Sequence, residues 1–360
     1  MSASLQPEIQ FTAHSHPIKD HTLTKWLTLC LLPLLVSLTL SRLVIHFLGE
    51  RLLDTPNIRS SHQTPTPRGG GIAIAGGVVI AALTALSFGH ITPDPLYWLI
   101  IPSGLIAILG ICDDLFDLNI ALRLTIQFLL AGLGIYLIGI NNEWSAPIRL
   151  VTAVILILFI VWMTNLYNFM DGINGLAALE AISASMGMAL IYWMQKTTNT
   201  EAICLLIMIS ASTVGFLFWN FPKAKLFMGD AGSLFLGLSL GLLAVGSLAE
   251  NFHIFSAWLI MLGVFIVDAS YTLFYRLLTR QPVHQAHRTH AYQKISIKLN
   301  SHTYTTLAIV TINLFWLLPI AIAVTTTQLH FAAALTIAYA PLLLIAHKFR
   351  AGRPQQSVSK

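Results

Sequence analysis

The sequence predicts an all-α, polytopic membrane protein. Three observations carry this. Of 360 residues, 56% are hydrophobic and only 10% are charged, where an ordinary soluble domain carries about 25%. The mean hydropathy is +0.74. The apolar residues gather into eleven runs, each near the ~20 residues a membrane crossing needs. The spans are helical, because backbone polar groups exposed to lipid must satisfy one another.

In order, the expected spans run over about 26–48, 71–89, 96–112, 121–140, 147–164, 175–194, 202–219, 231–249, 253–275, 303–325 and 329–347. Residues 1–24 read as a polar tail outside the cytoplasm without a cleavable signal, 25–348 as a single transmembrane domain, and 349–360 as a cytoplasmic tail. No soluble domain is inserted and no internal repeat is visible. Cys30, Cys112 and Cys204 lie far apart in apolar surroundings and read as lone core residues.

Orientation follows from Lys and Arg. With the loop 50–70 cytoplasmic, the inner side holds Arg51, Arg59, Arg68, Arg123, Lys223, Lys225, Arg276, Arg280, Arg288, Lys294, Lys298, Lys348, Arg350, Arg353 and Lys360. The outer side holds only Lys19, Lys25, Arg149 and Lys196, with Arg42 inside the first span. This positive-inside bias puts the N-terminus outside and the C-terminus in the cytoplasm. It also accounts for the net charge of +5 without a nucleic-acid partner.

The unusual polar sequence then falls on the inner side. Arg59, His62 and Arg68 precede Gly69–Gly71, a set that suits phosphate, or alternatively a basic loop followed by a glycine packing face. Asp113, Asp114 and Asp117 end the third span. Asp113 and Asp117 are four apart and expected on one helix face, as a proton acceptor or cation site, or as a solvated helix end. The stretch Thr164–Gly175, T-N-L-Y-N-F-M-D-G-I-N-G, spaces Asn168, Asp171 and Asn174 three apart, so one helical face could present all three. They suit a nucleobase, a sugar or a hydrated metal, or else hydrogen bonding between helices. Asp230, between Gly229 and Gly232 at the start of the eighth span, could seat a phosphate with Mg²⁺, or simply cap the helix. The longest inner loop, 276–302, gathers His287, Arg288 and His290 as cationic donors. Asp268, inside the ninth span, either faces the same cavity or pairs with Arg276. Carboxylates for Mg²⁺, basic groups for phosphate and amides for a polar moiety point to phosphoryl transfer between a soluble nucleotide and a membrane-dissolved acceptor.

Four segments carry a family resemblance: R-G-G-G at 68–71, the pair Asp113–Asp114, N-x-x-N-x-x-D-G-x-N-G at 165–175, and N-F-P-x-A-x-x-F-M-G-D-x-G-S at 220–233. Across roughly 54–293 the chain resembles the polyprenyl-phosphate N-acetylhexosamine-1-phosphate transferases, the family that includes the peptidoglycan translocase. The resemblance implies a Mg²⁺-dependent glycosylphosphotransferase, Mn²⁺ being the alternative ion. It would transfer an N-acetylhexosamine-1-phosphate from a UDP-sugar to undecaprenyl phosphate, release UMP, and work in the bacterial inner membrane at its cytoplasmic face.

By motif position, Asp113, Asp114 and Asp230 are the implied catalytic residues, and Asp114, Asp171 and Asp230 the implied metal ligands. Asn165, Asp171, Asn174, Asn220 and His290 are implied on the substrate side, where the residues' own chemistry also places Asn168, Arg68, His287 and Arg288. The peptidoglycan branch has three consecutive histidines where this chain reads H-R-T-H-A-Y-Q, with Tyr292 and Gln293, and usually Asp where Asn174 stands. The pattern is therefore closer to the O-antigen-initiating branch, with a phospho-muramoyl-pentapeptide transferase as the alternative and a transporter for anionic solutes as the rival from another class. Membrane lipids are expected partners, and a homodimer is left open.

Overall fold

The computed structural model describes residues 18–56, 64–139, 145–196, 199–282, 287–327 and 329–354. Arg59, His62 and most of the two terminal tails lie outside them.

The chain is almost wholly helical. Its membrane-length helices are α1 (Thr22–Phe47), α2 (Gly70–Ser87), α3 (Leu96–Phe116), α4 (Ile120–Ile138), α5 (Ala146–Met170), α6 (Leu176–Met194), α7 (Thr200–Asn220) and α8 (Gly229–Ser247). After α9 (Phe252–Met261) and α10 (Gly263–Leu278) come the short α11 (Ala291–Leu299), then α12 (His302–Thr326) and α13 (Phe331–Lys348). The only strand pairing among the described residues is a two-residue antiparallel ladder, Leu53–Asp54 with Thr66–Pro67.

The expected ninth span is not one straight helix. α9 and α10 meet at 68° around Leu262. In a continuous helix Gly263 N–H would bond the carbonyl of Leu259; here the Tyr339 hydroxyl, reaching from α13, donates to that carbonyl at 2.7 Å. A side chain that enters the hydrogen-bond ladder is a recognised cause of a sharp kink. Counted as one broken span, the pair brings the described spans to eleven.

α8 is the centre of the bundle. Its apolar window is 83% buried, against 22% for the lipid-facing α5, and α2, α3, α4 and α5 all pack on it. Small residues make this possible by letting backbones approach. A Cβ on Gly237 would stand 2.7 Å from the Thr164 Cα. At the N-terminal end, Gly70 and Gly71 donate to Phe227 O and Met228 O at 2.9 and 2.8 Å, which ties the start of α2 to the turn before α8. The glycines at 70–71 therefore serve packing, one of the two readings the sequence left open, with both amides taken by backbone carbonyls. Cys30, Cys112 and Cys204 are free.

Candidate active site

The turns before α2, after α3, after α5 and before α8 meet at one end of the bundle. α3 ends at Phe116, with Asp117 in the left-handed region at φ 47°. Asp113 is still helical and buried; Asp117 is exposed. The expected shared face of Asp113 and Asp117 does not exist, because the helix stops between them.

Asp113 is fully engaged. Its Oδ1 accepts Leu118 N–H at 2.9 Å and its Oδ2 pairs with the Arg123 guanidinium. Arg123 also lies 3.6 Å from Asp230 Oδ2, so one cation spans two carboxylates. Sequence reasoning placed Arg123 only among the topological charges; its spacing from Asp113 gave no signal across the helix break.

Asp114 is divided. Its Oδ2 accepts the Asp230 amide at 3.0 Å and approaches the Ala231 amide at 3.5 Å. It thus caps the N-terminus of α8, where an anion meets the positive end of the helix dipole. Asp230 does not cap the helix; it stands in the first turn, capped by Asp114. The other oxygen, Asp114 Oδ1, is buried without a hydrogen-bond partner among the described residues. A buried, unpaired carboxylate oxygen is costly unless something binds it. Asp230 Oδ1 accepts from Asn168 Nδ2 at 2.8 Å, and the same amide reaches Ser233 at 3.1 Å.

α5 runs on to Met170, so Asn165 and Asn168 are helical while Asp171 and Asn174 sit in the following turn. The single helical face expected for Asn168, Asp171 and Asn174 is replaced by a helix end plus a turn. Burial first, then the Asp230 and Asp114 carboxylates, push the Asp171 carboxyl well above its ordinary range, and the Arg68 guanidinium opposes them. Asp171 is therefore in the acidic cluster. Asn174 points away, donating to Pro222 O at 3.1 Å. Asn165 is spent on Gln127 Oε1 and Val161 O, at 2.6 and 2.7 Å. Asn220 links two turns, accepting Gly175 N–H at 2.7 Å and donating to Leu226 O at 2.9 Å. These three hold the frame. Arg68 is paired with Asp54 at 2.9 Å on the ladder, and Asp54, Asp114 and Asp230 hold its charge in place against the cost of burial.

The histidine loop reaches this cluster through α11. Among the described residues Asp268 does not pair with Arg276, one of the two readings the sequence left open. It accepts the Ala291 and Tyr292 amides, both at 2.9 Å, and lies 3.3 Å from His290 Nδ1. It caps α11 and orients the imidazole, whose Nδ1–H donates toward the carboxylate. Arg276 instead bonds Gln281 and the Pro282 carbonyl. The Tyr292 hydroxyl donates to Phe169 O at 3.0 Å, which seats the loop beside Gly172 and Asp171. Burial first, then His290 and Arg276, lower His287 to about 3, which opposes a cationic role for it. Arg288 has its Nε buried and unpaired among the described residues. One intramembrane acid went unnoticed in the sequence: Glu180, buried in α6, accepts from Asn313 at 2.6 Å.

Among the described residues no three His, Cys, Asp or Glu side chains close on one point as a prebuilt metal cage. A hard cation held by one or two carboxylates together with substrate phosphates needs none. The unpaired Asp114 oxygen beside Asp230 and Asp171 fits such an ion, and the absence of thiolates from the cluster suits oxygen ligation.

Residues 96–248 match the family model described as glycosyl transferase family 4. The chain is 33% identical over 270 residues to a Bacillus subtilis protein named "Probable undecaprenyl-phosphate N-acetylglucosaminyl 1-phosphate transferase", covering 71% of this chain and 73% of that one. It is 31% identical over 252 residues to a decaprenyl-phosphate N-acetylglucosaminephosphotransferase of Mycolicibacterium smegmatis, covering 61% of each. It is 30% identical over 210 residues to an undecaprenyl-phosphate alpha-N-acetylglucosaminyl 1-phosphate transferase of Escherichia coli O157:H7, covering 52% of this chain and 53% of that one.

Proposed function

Because the chain belongs to glycosyl transferase family 4, we propose that it transfers N-acetylglucosamine-1-phosphate from its UDP-sugar to undecaprenyl phosphate. The observation that carries this is the Asp114 carboxylate, shared between the α8 amides and an unpaired oxygen, with Asp230 and Asp171 beside it. An oxygen of the lipid phosphate attacks the sugar-bearing phosphorus. The bond from that phosphorus to the UMP oxygen breaks, UMP leaves, and a lipid diphosphate-sugar remains. Little covalent chemistry falls to the protein, so catalysis is positioning and charge neutralisation.

Asp114, Asp230 and Asp171 would hold Mg²⁺, with Mn²⁺ as the alternative, and the bound ion would neutralise the donor diphosphate. Asn168 keeps Asp230 aimed through their hydrogen bond. Arg123 pairs with Asp113, so Asp113 is a structural anchor and Asp114 is left to face the reactants. Arg288 donates to phosphate oxygens, His290 does so through Nε2 in its imidazolium form, and Arg68 adds positive charge. The positive-inside distribution supports placing this end of the bundle in the cytoplasm, in a bacterial inner membrane, with the product starting a surface polysaccharide such as an O-antigen.

The test uses purified protein with radiolabelled UDP-N-acetylglucosamine and undecaprenyl phosphate. Label should move into the lipid phase with one UMP released per sugar. Label that stays aqueous with every UDP-N-acetylhexosamine tried would refute the proposal.

A further inference from the structure

We propose that Gly352 is a positioning residue: its backbone N–H and C=O fasten both ends of the loop that carries Arg288 and His290. The inference rests on the reading of those two side chains as phosphate ligands. The Gly352 amide donates to Thr289 O at 2.8 Å, and its carbonyl accepts from Gln281 Nε2 at 3.2 Å. One residue beyond α13 thus ties residue 281, where the chain leaves α10, to residue 289, where it enters α11.

Only glycine fits there. Gly352 has φ +80°, and a Cβ would stand 2.8 Å from the Tyr275 ring. Neighbouring contacts repeat the tie. Lys294 donates to the Arg350 and Arg353 carbonyls at 2.5 and 2.8 Å, in the turn that follows α13. The Arg353 guanidinium lies over the Tyr275 ring at 5.4 Å. Ala291 packs against Ala346 and Ala351. Thr289 passes the tie on to His287 through a 2.9 Å hydrogen bond.

A loop of this length must otherwise be ordered when substrate arrives, and that ordering is lost from binding. Fastened at both ends, Arg288 and His290 are already in place. Loosening the clamp should therefore weaken substrate binding while the carboxylate cluster stays intact.

The experiment compares Gly352→Ala, Lys294→Met and Lys294→Arg with the unaltered full-length protein. Hydrogen–deuterium exchange is read over residues 287–293, beside KM and kcat for UDP-N-acetylglucosamine. Gly352→Ala and Lys294→Met should quicken exchange there and raise KM roughly two- to tenfold, with kcat much less affected. Lys294→Arg, which keeps a donor, should behave like the unaltered protein. Unchanged exchange in both Gly352→Ala and Lys294→Met would overturn the clamp. Quicker exchange with unchanged KM would overturn its positioning role, provided Arg288→Ala raises KM. If Arg288→Ala is also silent, the phosphate-ligand reading falls with it.

Discussion

Asp114 accepts the backbone amide of Asp230 at 3.0 Å, so the carboxylate ending one span caps the helix on which the second carboxylate stands. Two acids 116 residues apart in sequence are fixed together by one hydrogen bond. Replacing Asp114 by Asn keeps the shape, loses the anion at the helix N-terminus and puts an amide where the unpaired oxygen stood. Turnover should fall roughly 10²–10³-fold, with expression and detergent size-exclusion profile unchanged. Full turnover in Asp114→Asn would show that the unpaired oxygen does no chemistry.

Gly229 tests the same contact from the other side. It has φ +72°, and a Cβ there would lie 2.6 Å from Asp114 Oδ2. Gly229→Ala should lower turnover as far as Asp114→Asn does, although no ionisable group is touched. Near-normal sugar-phosphate transfer by Gly229→Ala would mean that the Asp114–Asp230 contact is dispensable.

Arg123 is the counter-ion of a buried carboxylate. Removing one partner of a buried pair costs about 3–5 kcal/mol, because the other is left uncompensated; the partial exposure of Arg123 puts the expectation at the low end. Arg123→Ala should lower the melting temperature in detergent. Adding Asp113→Asn should recover part of the loss. No recovery in the double variant would argue against the pair as the source of the stability.

His287 gives a pH signature. Its folded pKa, about 3, lies below the ordinary 6.5. The unfolded chain therefore binds this proton first, and stability present above pH 6.5 is lost as pH falls toward about 3. His287→Gln, which cannot titrate, should show a shallower fall in melting temperature over that window. Parallel curves would mean that His287 charges normally and belongs with the cationic donors after all.

The metal reading has its own measurement. Chelation should stop transfer and added Mg²⁺ should restore it. Asp230→Asn should raise the Mg²⁺ concentration needed for half-maximal rate, since it removes one anionic ligand. Transfer that persists undiminished in excess chelator would remove the ion from the mechanism.

What the sequence determined by itself was set by local chemistry. Span length and apolar composition alone require helices across a bilayer, and eleven runs could be read without any contact. The motifs around Asp114, Asp171 and Asp230 were legible too, because residue types and short spacings survive in one dimension. Tertiary structure decided which atoms are free. Asp113 is consumed by Arg123 beyond a helix break, Asn165 by Gln127, and Asn220 by a distant turn. Asp268 became a helix cap only when α11 arrived, and α9–α10 bent only when Tyr339 intercepted a carbonyl from α13. A hydrogen bond belongs to two partners, and when they lie tens to more than a hundred residues apart, only the folded chain brings the second one into reach.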